Sequence, residues 1–184
     1  MRVFIALNIS SSIREKIAEV QKRLKETENR VRWVNPAIIH LTLKFLGEIR
    51  EEKLKEVFKA VEKVSSESSS FLMKIEGMGV FPNFSRPRVI WAGVREEEGK
   101  LQSLVSSLAK ELKKRGFPEE KRGWTPHLTI GRIKFLKERK KLIDFIQLEK
   151  DKRFGEEKVN DIEIMQSQLT PKGSIYKILK KVLL

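Results

Sequence analysis

Apolar residues recur along this chain in two rhythms, one of period two and one of helical spacing, and the changes between them mark its elements. Residues 2–9 alternate and are rich in β-formers, which predicts a first strand. Ser12 and Glu15 stand at capping-box spacing, and Ile13, Ile17, Val20 and Leu24 then predict a helix to about Lys25. Residues 31–34 read as a short extended piece closed by Pro36, and 38–46 as a strand ended by Gly47. Leu54, Val57, Phe58 and Val61 lie on one face of a second helix over 51–65. Residues 71–80 and 87–94 predict strands flanking a turn rich in proline and polar residues at 82–87. Leu101, Leu104, Val105, Leu108 and Leu112 mark a third helix that ends at Gly116, and 127–133 a further strand. The basic stretch 134–148 predicts a fourth helix anchored by Phe135, Leu142 and Phe145, and 159–169 and 176–183 two closing strands.

The order is then β-α-β-α-β-β-α-β-α-β-β, mixing hairpins with crossovers, which predicts an α+β fold of mostly antiparallel sheet. The similar halves predict two lobes related by a pseudo-twofold axis within one bilobal domain over residues 1–184.

Each half carries one histidine in the same frame: His40-Leu41-Thr42-Leu43 and His127-Leu128-Thr129-Ile130. These are the only two histidines of the chain, and threonine fills roughly one position in forty. A threonine two places after both has a chance below roughly one in a thousand, so the frame is a duplicated site. Residues i and i+2 of a strand share a face. His40 with Thr42, and His127 with Thr129, therefore face one cleft, with Leu41, Leu43, Leu128 and Ile130 buried behind them. Imidazole is the side chain that exchanges protons near neutrality. Two of them can serve as general acid and general base, while the threonine hydroxyls donate to phosphate oxygens.

Composition narrows the partner. The chain has 184 residues, 40% hydrophobic and 35% charged, a globular balance, and a net charge of +14, which favours a polyanion. It has no cysteine, which removes disulfides, thiolate nucleophiles and cysteine–zinc sites. No apolar run approaches the roughly 20 residues needed to cross a bilayer, and the β-like start is unlike a signal peptide; the expectation is a cytoplasmic protein. Lys and Glu in excess of Asn and Gln match a thermophile's composition. Two histidines without a carboxylate in register underligate a transition metal, so no metal or other cofactor is expected. Gly77-Met78-Gly79 is neither a P-loop nor a dinucleotide fingerprint.

The paired His-x-Thr strands half a chain apart resemble the two-histidine phosphoesterase superfamily, in its RNA 2′,3′-cyclic phosphodiesterase branch, also called 2′-5′ RNA ligases. The likeness also rests on Lys44-Phe45-Leu46-Gly47 after the first frame and Gly131-Arg132 after the second. Arg2-Val3-Phe4-Ile5-Ala6 and Arg88-Val89-Ile90-Trp91-Ala92-Gly93 complete it. It implies hydrolysis of an RNA 2′,3′-cyclic phosphate end to a 2′-phosphate, with a feeble reverse 2′-5′ joining. RNA ends, tRNA fragments among them, would be the partners of a monomer. It also implies His40 as the acid for the 3′ leaving oxygen, His127 as the base for water, Arg132 as a phosphate clamp and Phe45 as a base-stacking ring. Strand parity opposes the last two: an offset of five from each histidine puts them on the far face unless the strands bulge near Gly47 and Gly131. Two other readings stay open, a phosphodiesterase for a small cyclic nucleotide or sugar phosphate and a non-catalytic module that binds RNA ends. Trp33, Trp91 and Trp124 are read mainly as core, Lys134, Lys137, Arg139, Lys140 and Lys141 as a solvated helix face, and Arg86 and Arg88 as turn residues or backbone contacts.

Overall fold

The apolar stripes of the helices close one continuous core that runs through the whole molecule. The computed structural model describes residues 1–119, 123–171 and 173–184. Its elements are β1 (Arg2–Leu7), α1 (Ser11–Lys25), β2 (Arg30–Trp33), a 3₁₀ turn (Pro36–Ile38), β3 (Leu41–Glu48), α2 (Glu51–Ser66) and β4 (Phe71–Phe81). β5 (Val89–Arg95), α3 (Lys100–Lys114), β6 (His127–Phe135), α4 (Arg139–Leu148), β7 (Arg153–Val159), β8 (Asp161–Thr170) and β9 (Gly173–Leu183) follow. The predicted stripes are the buried ones: Ile13, Ile17, Val20 and Leu24 of α1, and Leu101, Leu104, Leu108 and Leu112 of α3.

The strands form two wholly antiparallel sheets. One has the order β3-β1-β8-β9 and the other β2-β6-β5-β4-β7. With β2 set aside, the two orders correspond strand for strand: β3 to β6, β1 to β5, β8 to β4 and β9 to β7. This is the pseudo-twofold arrangement of an α+β fold. Each sheet, however, takes strands from both halves of the chain: β2 and β4 of the first half lie in the second sheet, and β8 and β9 of the second half in the first.

Three local expectations are corrected. The stretch 134–148 is not one helix: β6 runs on to Phe135, paired with Arg30 of β2, and α4 begins at Arg139. β7 is a strand the apolar pattern did not reveal, because its sequence RFGEEKV buries only Phe154 and Val159. Gly47 does not end β3 but sits inside it with φ near +70°, a backbone angle that glycine tolerates. No helix is long and apolar enough to cross a membrane among the described residues.

Candidate active site

Each histidine strand carries a β-bulge three residues past its histidine. In β3, Thr42 opposes Ala6 and Lys44 opposes Ile5, so Leu43 is an inserted residue. In β6, Thr129 opposes Trp91 and Gly131 opposes Ile90, so Ile130 is inserted. An extra residue reverses the alternation of faces. Phe45, opposite Phe4, thereby returns to the face of Thr42, and Arg132, opposite Val89, to the face of Thr129. The parity objection to both residues is removed by these bulges.

A bulge frees backbone groups from the ladder, and buried ones need other partners. Trp124 Nε1 donates to the Thr42 carbonyl at 3.0 Å. The Ile130 carbonyl accepts from Val34 N at 3.0 Å and from the buried Gln21 Nε2 at 3.0 Å. Gly131 beside this bulge admits no side chain: a Cβ there would lie 2.6 Å from Val31 and 3.0 Å from Trp33. Trp124 and Trp33 are thus structural, and Trp124 also ties the first histidine strand to the approach of the second, where β3 and β6 touch.

Both imidazoles are held the same way. His40 Nδ1 lies 2.8 Å from the Ile38 carbonyl, and His127 Nδ1 lies 2.8 Å from the Thr125 carbonyl. A carbonyl only accepts, so Nδ1 carries the proton and Nε2 is the reactive nitrogen of each neutral ring. His40 Nε2 is 3.0 Å from Thr42 Oγ1, which establishes that the pair shares a face. Leu41, Leu43, Leu128 and Ile130 are buried as expected. Burial is the main force that lowers both imidazole pKa values below the ordinary histidine value. The nearby charges of Arg14 on His40 and of Arg132 on His127 add to it, and the carbonyl hydrogen bonds oppose it.

The surroundings of the two rings differ. His40 stacks on Phe4 at 4.8 Å between centroids and meets Tyr176 edge-on at 5.2 Å. Phe45, 56% exposed, adjoins Phe4 at 6.0 Å. Among the described residues, His127 meets the ring of Phe81, edge-on at 4.9 Å, which in turn lies against Trp91. Trp91 lies flat over Gly79, where a Cβ would come within 2.3 Å of its ring. Phe4, Phe81 and Tyr176 escaped sequence reasoning. The available signal was register: Phe4 pairs with Phe45 beyond the first frame, and Phe81 with Val89, whose other partner is Arg132 beyond the second.

A cavity of about 260 Å³ opens beside His40, lined by Asn8, Arg14, Ile38, Glu163, Met165 and Tyr176 among others. Arg14 donates to the Ile39 carbonyl from Nη2 at 3.0 Å and to Asn8 Oδ1 at 2.7 Å, fixing the turn that carries His40. Glu163 is buried, which pushes its carboxyl up against the pull of Lys181. Among the described residues no three His, Cys, Asp or Glu side chains gather as a metal site would require. The basic residues of 134–141 are spread over β6, a turn and α4. Lys137 pairs with Glu28 and Lys140 with Asp144, while Arg139 donates to the Phe84 carbonyl. Arg86 and Arg88 are exposed in the turn before β5.

Two sheets on one pseudo-twofold plan, each carrying a histidine and a threonine at the head of corresponding strands (His40 just before β3, His127 at the start of β6), define the two-histidine class of phosphoesterase. The model of the family described as LigT like Phosphoesterase matches twice, over residues 7–91 and 93–176, and the chain belongs to that family. It is 41% identical over 180 residues to the RNA 2′,3′-cyclic phosphodiesterase of Archaeoglobus fulgidus, covering 98% of each chain. It is 37% identical over 182 residues to that of Aquifex aeolicus, covering 98% of this chain and 96% of the other. The crystal structure of TT0787 of Thermus thermophilus has a TM-score of 0.83 at 27% identity, covering 100% and 98% of the two chains. E. coli LigT complexed with 3′-AMP shares the fold, with a TM-score of 0.78 at 23% identity over 100% of this chain and 97% of the other.

Proposed function

We propose that this chain hydrolyses the 2′,3′-cyclic phosphate at an RNA end to a 2′-phosphate, with His40 and His127 as the proton-transferring pair. The observation that carries the reading is the matched pinning of the two imidazoles, each with Nδ1 on a carbonyl two residues back and Nε2 left for chemistry. His127 Nε2 takes a proton from water as its oxygen attacks phosphorus. The P–O3′ bond breaks, and His40 Nε2 gives its proton to the departing O3′. Thr42 and Thr129 donate to the non-bridging oxygens, and Arg132 holds phosphate of the RNA end from the same face. Phe45 stacks on the terminal base.

His40 enters this scheme through its link to Thr42. While the ring is neutral, the Thr42 hydroxyl donates to Nε2 across 3.0 Å. A phosphodiester anion favours the imidazolium; Nε2 then becomes a donor, and the hydroxyl proton is released toward the anion. Microscopic reversibility swaps the roles of the histidines in a weak 2′-5′ joining of RNA ends. No step calls on a metal ion. The reading extends to a monomeric cytoplasmic enzyme with tRNA fragments among its substrates.

The test is incubation of EDTA-treated protein with a short RNA ending in a 2′,3′-cyclic phosphate, with products resolved by phosphate position. A 2′-phosphate product, lost in His40→Ala and in His127→Ala, is the expected result. A 3′-phosphate product, or turnover that survives either substitution, would overturn the scheme.

A further inference from the structure

The second sheet departs from the pseudo-twofold plan in one respect: β2 is added at the edge of β6 and has no counterpart beside β3. β2 places Arg32 directly opposite Arg132 in the antiparallel ladder. Residues so paired lie on one face, and like charges directly opposite repel and destabilise the sheet. Both arginines are exposed, and among the described residues neither lies within ion-pair distance of a carboxylate. An arginine pair in this position is complementary to an anion, and the planar guanidinium fork matches phosphate oxygens.

The face is the one that carries the reaction. Trp91 opposes Thr129 and Val89 opposes Arg132, and alternate residues of β5 share a side. The arginine row therefore lies one repeat, roughly 7 Å, along the strands from the Thr129 row. Thr129 is assigned to the reacting phosphate, so the arginines face a second anion rather than the first.

We infer that Arg32 and Arg132 together clamp a second phosphate of the RNA strand, the backbone phosphodiester next to the cyclic end. The inference rests on the phosphodiesterase reading above and adds to it a reason for preferring a polymer over a mononucleotide.

The test compares kcat/KM on a nucleoside 2′,3′-cyclic phosphate with that on the dinucleotide, which adds one internal phosphodiester. Wild-type protein prefers the dinucleotide. Arg32→Ala lowers the ratio of the two values about tenfold, and Arg32→Lys restores part of it. The salt slope of dinucleotide affinity falls by about one in Arg32→Ala. Equal fractional losses on both substrates, an unchanged ratio, or a loss confined to the joining reaction would overturn the assignment. Equilibrium binding of the same two ligands, each to His127→Ala alone and to the double variant with Arg32→Ala, reports the ratio without turnover. A wild type that hydrolyses neither substrate thus counts against the phosphodiesterase reading, while the clamp stands or falls on binding.

Discussion

The two histidine strands share a backbone and differ in what stands beside it. Each bends at a bulge three residues past its histidine, and each pins its imidazole to a carbonyl at 2.8 Å. The first bulge turns out Phe45, beside Phe4, whose ring also meets Tyr176; the second turns out Arg132, beside Arg32. Apolar and aromatic walls suit a nucleobase, and a guanidinium pair suits phosphate. A duplicated scaffold sets the two imidazoles alike, and on the proposed function the residue two places past each bulge would decide which part of a nucleotide that half receives.

The widest break in this comparison comes from the imidazoles themselves. His40→Ala and His127→Ala should each lower kcat by about 10²–10⁴, and the double variant should be little worse than either single one if they act as a unit. Additive losses in steady-state kinetics would show two independent groups. Thr42→Ala and Thr129→Ala should cost less, about 1.5–3 kcal/mol in kcat/KM for a hydrogen bond to a charged oxygen. Thr42→Ala should lower kcat the more, since that hydroxyl also bonds His40; equal kcat values would sever that link.

Exchanging the walls sharpens the contrast further. Arg132→Ala should weaken kcat/KM and flatten its salt dependence, whereas Phe45→Ala should cost about 1–3 kcal/mol in stacking with the salt slope kept. Indistinguishable salt slopes would mean that the two walls do not divide base from phosphate. The smallest effect expected is in pH. Both imidazoles titrate below the ordinary histidine value, so the protonated acid is already depleted at neutrality and kcat/KM should fall as pH rises past about 6.5. A plateau across neutrality would contradict this. The same depression means that the folded chain binds fewer protons than the unfolded one. Stability contributed by the neutral rings is present above about pH 6.5 and is lost as pH falls below it, a trend that thermal melts at graded pH would follow.

Much of this was legible in the chain. The two frames, the helical stripes and the leucines behind each histidine all follow from local pattern. The bulges were legible only as a condition for Phe45 and Arg132 to face the site; their positions were not, because Leu43 and Ile130 are apolar and buried like their neighbours, and only pairing with β1 and β5 exposes them as insertions. β7 was hidden by its charged edge position, and the end of β6 by Lys134 at the head of a basic run, whose strand is set by distant β2. Arg32 gains meaning only from the cross-strand register that puts it opposite Arg132.

The crossing of β4 and β8 between sheets has a further bearing on how such a molecule could arise. A single half-chain would hold strands of both sheets, so it could complete them only by trading strands with a second copy in a swapped dimer. In a symmetric dimer the residues at positions 45 and 132 would be identical by necessity. Covalent joining of the halves is what lets one be phenylalanine and the other arginine, so the contrast between the two walls depends on fusion as much as on fold.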